Sequence, residues 1–67
     1  MDNLNNQIII VTGGAAGIGG GITSELVKRG ASVIAVDVNE EAGLAIEKKN
    51  EGKVMFLKKL LHRKLLN

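Results

Sequence analysis

A run of four apolar β-branched residues that ends at a glycine pair is the feature that most limits the folds open to this chain. Residues 8–11 read Ile-Ile-Ile-Val without polar alternation, and Thr12, Gly13 and Gly14 follow directly. Such a run is typical of a parallel strand that is covered on both faces. Glycine lets the backbone turn sharply after it, because glycine reaches positive φ without steric cost. The pattern predicts a buried strand over residues 7–12 that leads into a tight turn.

The residues after the turn carry an apolar side chain at every fourth position. Ile18, Ile22 and Leu26 follow this spacing, with Val27 beside them. A spacing of four residues places side chains on one face of an α-helix. We therefore expect a helix over residues 17–29 whose buried face holds these four side chains.

Three further elements follow from the apolar periodicity and from helix-end signals. We expect a second apolar strand over residues 32–37, a helix over 39–50 and a third strand over 53–57. Asn39 is a favourable residue at a helix N-cap. The alternation of strands and helices predicts an α/β fold. The architecture expected is a partial Rossmann (doubly wound) βαβαβ unit with three parallel strands in the order 3-2-1.

The glycine spacing suits a phosphate group at the start of the first helix. Thr12, Gly13, Gly17 and Gly19 form the pattern T-G-x-x-x-G-x-G. A helix N-terminus has unpaired N–H groups and the positive end of the helix dipole, so it binds a pyrophosphate that can come close enough. Gly13 suits the turn, Gly17 the close approach of the phosphate, and Gly19 the packing of the helix.

A P-loop for nucleoside triphosphates is excluded by the residues that follow Gly19. Two more glycines stand there, at the positions where a P-loop requires Lys and Ser or Thr. No cation is therefore placed to bind a β- or γ-phosphate. A glycine turn that serves only to reverse the chain remains the alternative.

An acid at the end of the second predicted strand favours NAD. Asp37 follows Gly19 by 18 residues, which matches the distance at which a carboxylate meets the adenine-side ribose. It can accept hydrogen bonds from ribose hydroxyls, and it would repel a 2′-phosphate. Neither Gly14 nor Val38 supplies a basic side chain near it, so we predict NAD rather than NADP. The alternative is an acid that only caps the next helix.

These motifs resemble the short-chain dehydrogenase/reductase family. The segment VTGGAAGIG, residues 11–19, is similar to the family's usual opening. The opening is most similar to the NAD-linked alcohol dehydrogenases that include 15-hydroxyprostaglandin dehydrogenase-like members. The resemblance implies a partial dinucleotide-binding domain over residues 7–57 and, as the family activity, NAD-dependent oxidation of a secondary alcohol. The cofactor-binding residues that it implies are Thr12, Gly13, Gly17, Ile18, Gly19, Asp37 and Val38.

The catalytic residues of that family have no counterpart in this sequence. Family members carry a catalytic Ser and a Tyr-x-x-x-Lys pair further along, and this chain contains no Tyr. In the family the Tyr transfers the alcohol proton and the Lys lowers the pKa of that Tyr. We therefore predict no catalytic residues and a truncated NAD-binding part that is inactive alone. The alternative is a non-enzymatic nucleotide-binding or interaction module.

The end of the chain has a different charge from the rest. Residues 53–67 hold five Lys or Arg and no acid, whereas residues 1–52 hold four Lys or Arg and seven acids. We expect a basic amphipathic tail over residues 58–67, which the interaction module would present to a partner or to a membrane surface. We expect no nucleic-acid binding, and membrane contact by the tail is not our leading interpretation.

Composition and strand position set the remaining expectations. The chain has no Cys and one His, which argues against a thiolate or His-rich metal site. The acidic start of the chain is untypical of a signal peptide, so we expect a cytoplasmic location. An apolar strand over residues 7–12 with no neighbour on one side favours self-association through this edge.

Overall fold

The computed structural model describes residues 3–59 as one α/β unit. Its elements in chain order are β1 (Ile8–Thr12), α1 (Gly17–Lys28), β2 (Ser32–Asp37), α2 (Glu40–Lys49) and β3 (Val54–Lys58). The predicted bounds of all five elements hold to within one residue. The expected βαβαβ order is confirmed.

The three strands form one parallel sheet in which β2 is central. The sheet order is β1-β2-β3, and both strand pairs are parallel. Ile10 of β1 lies beside Ile34 of β2, which lies beside Met55 of β3. This is the predicted order 3-2-1 of a partial Rossmann unit. In the described residues β1 and β3 are therefore the two edges of the sheet.

Side chains alternate between a covered face and an open face of this sheet. Val33, Ala35 and Val54 point to the covered face and are buried beneath the helices. The exposed large side chains of the open face are Ile8, Ile10, Met55 and Leu57. The prediction that residues 8–11 are covered on both faces is wrong for the described part of the chain, because both helices pack against the same face.

Helix α1 turns a different side to the sheet from the one predicted. Thr23 is fully buried and Leu26 and Val27 pack against the core, but Ile18 is 85% exposed and Ile22 is 47% exposed. The prediction that Ile18 and Ile22 lie on the buried face is therefore wrong. Small and polar side chains hold α1 close to the sheet, and the two isoleucines lie on the helix flank.

The position of α2 shows which flank of α1 this is. A shallow groove of about 380 Å³ separates the helices, and Gly20 and Ser24 line it from the side of α1. At about 100° per residue, these two positions lie on one side of Thr23 and the two isoleucines lie on the other. Ile18 and Ile22, the isoleucine flank, thus face away from α2 and toward the β1 side of the unit.

Helix α2 packs closely against β3 because Gly43 has no side chain. A Cβ at this buried position would overlap the ring of Phe56. The sequence suggests only that Gly43 weakens the helix, whereas the structure shows that it permits this contact. The N-terminus of α2 is capped by the Asn39 side chain, which accepts a hydrogen bond from the Ala42 N–H at 2.9 Å.

Part of the predicted tail belongs to the fold. Lys58 is the last residue of β3, and its Nζ lies 3.3 Å from Oε1 of Glu40. Residues 60–67 of the predicted amphipathic tail lie outside the described residues. Neither of the two helices described has the length and apolar content that a membrane span requires.

Candidate functional site

The turn between β1 and α1 leaves open space at two glycines. Gly13 has φ +70° and Gly17 has φ +59°, a conformation that other residues rarely adopt. A Cβ added at either glycine would meet no atom within 4 Å. The turn is fixed to the sheet by the Gly13 N–H, which donates to the Val36 carbonyl oxygen at 2.7 Å. A rigid turn with an accessible backbone is the geometry that close approach of a ligand requires.

Gly19 brings the start of α1 into contact with this turn. A Cβ on Gly19 would overlap the carbonyl oxygen of Gly13 and lie 2.6 Å from its carbonyl carbon. Real Cβ atoms do not come so close to backbone, so the turn could not keep its shape beside a larger residue. The sequence predicts that Gly19 serves helix packing, and the contact it makes is with the turn.

Thr23 of α1 forms a hydrogen bond to the turn, a role that was not predicted from the sequence. Its Oγ1 donates to the Gly14 carbonyl oxygen at 2.9 Å, and the residue is fully buried. The signal available in the sequence was its position four residues after Gly19, which places both on one face of the helix. A hydroxyl on the helix face that Gly19 brings close to the turn is placed to form a hydrogen bond to that turn.

The N-terminus of α1 carries no cap of its own. Ala16 is the N-cap residue and makes no side-chain hydrogen bond, and the first turn of α1 contains no acid. Helix α2 differs, since it has the Asn39 cap and two acids in its first turn. The first N–H groups of a helix have no intrahelical partner. At Gly17, Ile18 and Gly19 these groups, together with the helix dipole, favour an anion from outside the helix.

Asp37 lies at the end of β2 beside the same turn. Its Oδ2 accepts the Ala15 N–H at 3.0 Å and its Oδ1 accepts the Asn39 N–H at 3.1 Å. The hydrogen bonds from the backbone of Asn39 and then of Ala15 lower the pKa of Asp37, against the effect of burial. The side chain is therefore an anion at neutral pH. An ionised carboxylate has about four lone-pair sites, so at least one stays available to hydroxyl donors.

The backbone of Ala15 is a second feature that the sequence analysis missed. Its N–H connects the glycine turn to Asp37 across 22 positions of the chain. The sequence places Asp37 at the end of its strand by spacing but gives no signal for this bond. The bond fixes the carboxylate relative to the N-terminus of α1, so the two polar features form one site.

All seven predicted cofactor residues lie at one end of the sheet. Thr12 ends β1, Asp37 ends β2, and Val38 follows it with 46% of its surface exposed. The three residues predicted around the helix start, Gly17, Ile18 and Gly19, are the first three of α1. Ligands of doubly wound folds bind beyond the carboxyl ends of the strands. The predicted residues are thus brought together at that end, and their contact with a cofactor stays a prediction.

Comparison with known proteins gives a family for this arrangement. The family model described as short chain dehydrogenase matches residues 7–63. A 2,5-dichloro-2,5-cyclohexadiene-1,4-diol dehydrogenase of Sphingobium indicum is 41% identical over 58 residues, which are 87% of this chain and 23% of that protein. The L-fucose dehydrogenase of Bos taurus is 43% identical over 51 residues, which are 76% of this chain and 19% of that protein.

A third similar protein is a dehydrogenase named for a different substrate. The 3-hydroxyacyl-CoA dehydrogenase type-2 of Drosophila melanogaster is 39% identical over 54 residues, 81% of this chain and 21% of that protein. The chain thus spans about a fifth to a quarter of the length of these relatives. Dehydrogenases of this family use nicotinamide dinucleotide cofactors. The chain belongs to the short-chain dehydrogenase family and corresponds to its N-terminal, dinucleotide-binding part.

Proposed function

We propose that this chain binds NAD in preference to NADP, through the turn between β1 and α1 and the carboxylate of Asp37. The observation that carries the proposal is the connection of both features by the Ala15 N–H bond to Asp37. A pyrophosphate fits the N-terminus of α1, where Gly13 and Gly17 leave the backbone accessible. The adenine-side ribose then lies toward Asp37, whose remaining lone-pair capacity accepts a ribose hydroxyl.

The choice between NAD and NADP rests on charge. Asp37 is ionised because backbone N–H groups lower its pKa. Ala15 and Val38 carry no charge, and Lys58, which lies beside Asp37 in β3, directs its Nζ to Glu40 Oε1 at 3.3 Å. A 2′-phosphate would therefore face a carboxylate of like charge at short range, which disfavours its binding. The ribose hydroxyls of NAD face no such repulsion.

We further propose that binding and catalysis are separate in this chain. A nicotinamide cofactor supplies hydride transfer when it is bound. The residues described here bind and orient its adenosine half, and the chain contains no Tyr to move a substrate proton. The activity of the named relatives therefore requires residues that this sequence does not hold. The chain acts as a dinucleotide-binding unit, for which we propose a cytoplasmic location.

Isothermal titration calorimetry with NAD and NADP tests this proposal. We expect the unmodified chain to bind NAD more tightly, by about tenfold, because the 2′-phosphate of NADP and the Asp37 carboxylate have the same charge. Asp37→Ala should reduce the difference between the affinities for NAD and NADP. Glu41→Ala removes an equal charge from the exposed first turn of α2 and should leave this difference in affinity unchanged. Equal or tighter binding of NADP by the unmodified chain would contradict the proposal.

A further inference from the structure

The β1 edge and the β3 edge of the sheet differ in how they are protected. On the β3 edge, Glu47 Oε2 accepts the Phe56 N–H at 3.1 Å, and Lys58 ends the strand. Bonded or charged groups of this kind blunt a strand edge against pairing. The sequence of β1, Ile8–Thr12, contains no charged residue. Within the described residues, nothing covers the outer side of this strand.

The outward backbone groups of β1 can be assigned from its bonds to β2. The carbonyl oxygen of Gln7 accepts from the Ser32 N–H, and the Gly13 N–H donates to Val36. Backbone groups alternate in direction along a strand, so residues 7, 9, 11 and 13 turn theirs toward β2. Ile8, Ile10 and Thr12 therefore direct their N–H and C=O groups outward, away from the sheet.

Exposed apolar side chains surround this edge on both sides of the sheet. Ile8 and Ile10 are 71% and 63% exposed on the open face. On the covered face, the isoleucine flank, Ile18 and Ile22, is exposed on the side of α1 that faces away from α2. These four exposed side chains could be covered by an interaction partner that binds along this edge. The edge and the patch are on the same side of the unit.

We infer that β1 pairs antiparallel with β1 of a second copy of this chain, about a two-fold axis that passes midway between Ile10 of one copy and Ile10 of the other. The axis stands perpendicular to the sheet, and the pair forms one six-stranded sheet with all four helices on one face. In this register Ile10 opposes Ile10 of the partner, and Ile8 opposes Thr12. All three outward-directed residues of each copy then exchange hydrogen bonds, which no other register of these strands achieves.

The spacing of sheets and helices supports the same arrangement. Helix α1 contacts both β1 and β2 and so lies over the space between them. With strands about 4.8 Å apart, the two α1 axes would lie about 10 Å apart across the two-fold axis. This is close to the distance of packed helices, about 8–10 Å. The isoleucine flanks of the two copies would meet there and cover one another.

The partner is a second copy because the surface is self-complementary. A two-fold contact requires the same patch on both sides, and an uncharged strand with apolar flanks meets that requirement. The strand order leaves the charged β3 edges at the outside of the six-stranded sheet. This inference concerns an interface and does not depend on the proposed preference for NAD.

Single cysteines test the register directly, because the natural chain contains none. In the inferred dimer the two Ile10 Cα atoms lie about 5.5 Å apart, within the range that a disulfide spans. The two Ile8 Cα atoms lie four residues apart along the strand direction, about 14 Å. Ile10→Cys should form a disulfide dimer at least about tenfold faster than Ile8→Cys on mild oxidation, although Ile8 is the more exposed residue.

Two further variants complete the disulfide experiment, which is read on non-reducing gels and by mass. A mixture of Ile8→Cys and Thr12→Cys chains should form mixed disulfides in preference to either homodimer. Met55→Cys lies on the open face at the other edge and should react slowly. Equal rates for Ile8→Cys and Ile10→Cys would overturn the register. Fastest reaction of Met55→Cys would overturn edge pairing in favour of stacked open faces.

Sedimentation of lysine variants tests the helix contact without cysteine chemistry. Ile22→Lys should raise the dimer dissociation constant at least about tenfold. Leu44→Lys is the matched control, because Leu44 is 51% exposed on α2 and Ile22 is 47% exposed on α1. It should leave dimerisation unchanged. A monomeric unmodified chain at about 100 μM, or an Ile22→Lys chain that dimerises normally, would overturn the inference.

Discussion

Three successive glycines of α1 should respond differently to the same substitution. A Cβ at Gly21 would meet nothing within 4 Å, one at Gly20 would lie 3.2 Å from the Ala15 carbonyl, and one at Gly19 would overlap the Gly13 carbonyl oxygen. Replacing a helical glycine by alanine stabilises the folded chain by about 1 kcal/mol when space is available. Gly21→Ala should therefore gain about 1 kcal/mol in free energy of unfolding.

At Gly19 the overlap outweighs this gain. The turn must move, at a cost of about 1–3 kcal/mol for overpacking. Movement also strains the Thr23 hydrogen bond to Gly14, worth about 1 kcal/mol. After the gain in helix propensity, Gly19→Ala should lose about 1–3 kcal/mol. Gly20→Ala should fall between the two, because its close contact with Ala15 offsets the propensity gain.

Urea unfolding followed by far-UV circular dichroism measures this series, since the chain has no Trp or Tyr to report by fluorescence. With a slope of about 1 kcal/mol per M, the midpoints of Gly19→Ala and Gly21→Ala should differ by about 2–4 M. The chain concentration must be the same in every titration, because association adds to apparent stability. Equal midpoints for the two variants would refute the packing of the turn against α1.

Four further outcomes follow from the same contacts. Thr23→Val should cost about 1–3 kcal/mol in unfolding free energy, because the Gly14 carbonyl loses its buried donor, and Thr23→Ser should keep the hydrogen bond. Asn39→Ala should cost about 1 kcal/mol, because the Ala42 N–H loses its cap, as measured by the same urea titration. The pKa of Asp37 is lowered, and the hydrogen bond from the Asn39 N–H is the largest cause. The ionised carboxylate therefore stabilises the folded chain above about pH 4, and this stabilisation is lost as the pH falls below that value. Unfolding titrations at about pH 5 and pH 3 should therefore show a smaller loss for Asp37→Asn than for the unmodified chain. With NAD and a set of secondary alcohols, the purified chain should form no NADH above background by absorbance, and turnover that scales with protein concentration would contradict this.

The strands could be predicted because their sequence signals are local, and the order of the sheet followed from the rule for parallel strands joined by helices. The predicted limits of β2, residues 32–37, agree with the structure at both ends, since an apolar β-branched run stops there at an acid. Asp37 was identified from its spacing to Gly19. Its bond to the Ala15 N–H could not be predicted, because that contact depends on how the turn lies over the end of β2.

The orientation of α1 was mispredicted for a physical reason. The spacing of Ile18 and Ile22 correctly shows an apolar stripe, but a stripe does not say which neighbour it meets. Gly19 and Thr23 bring the helix close to the turn, so small side chains form the buried face. The isoleucines lie on the flank of α1 away from α2, where they are exposed in the described residues. Glycine and threonine do not contribute to an apolar periodicity, so the contact that positions the site has no signal in that pattern.

The most direct test of dinucleotide binding is a titration of the ¹⁵N-labelled chain with NAD, followed by two-dimensional NMR. The account predicts saturable shifts of the Ala15, Gly17, Ile18 and Gly19 amides. It also predicts a change at Asn39, whose N–H shares the Asp37 carboxylate with Ala15. Adenosine diphosphate ribose should reproduce these shifts, because the residues described bind that half of the cofactor. Shifts confined to other parts of the chain, or none at millimolar NAD, would contradict the account.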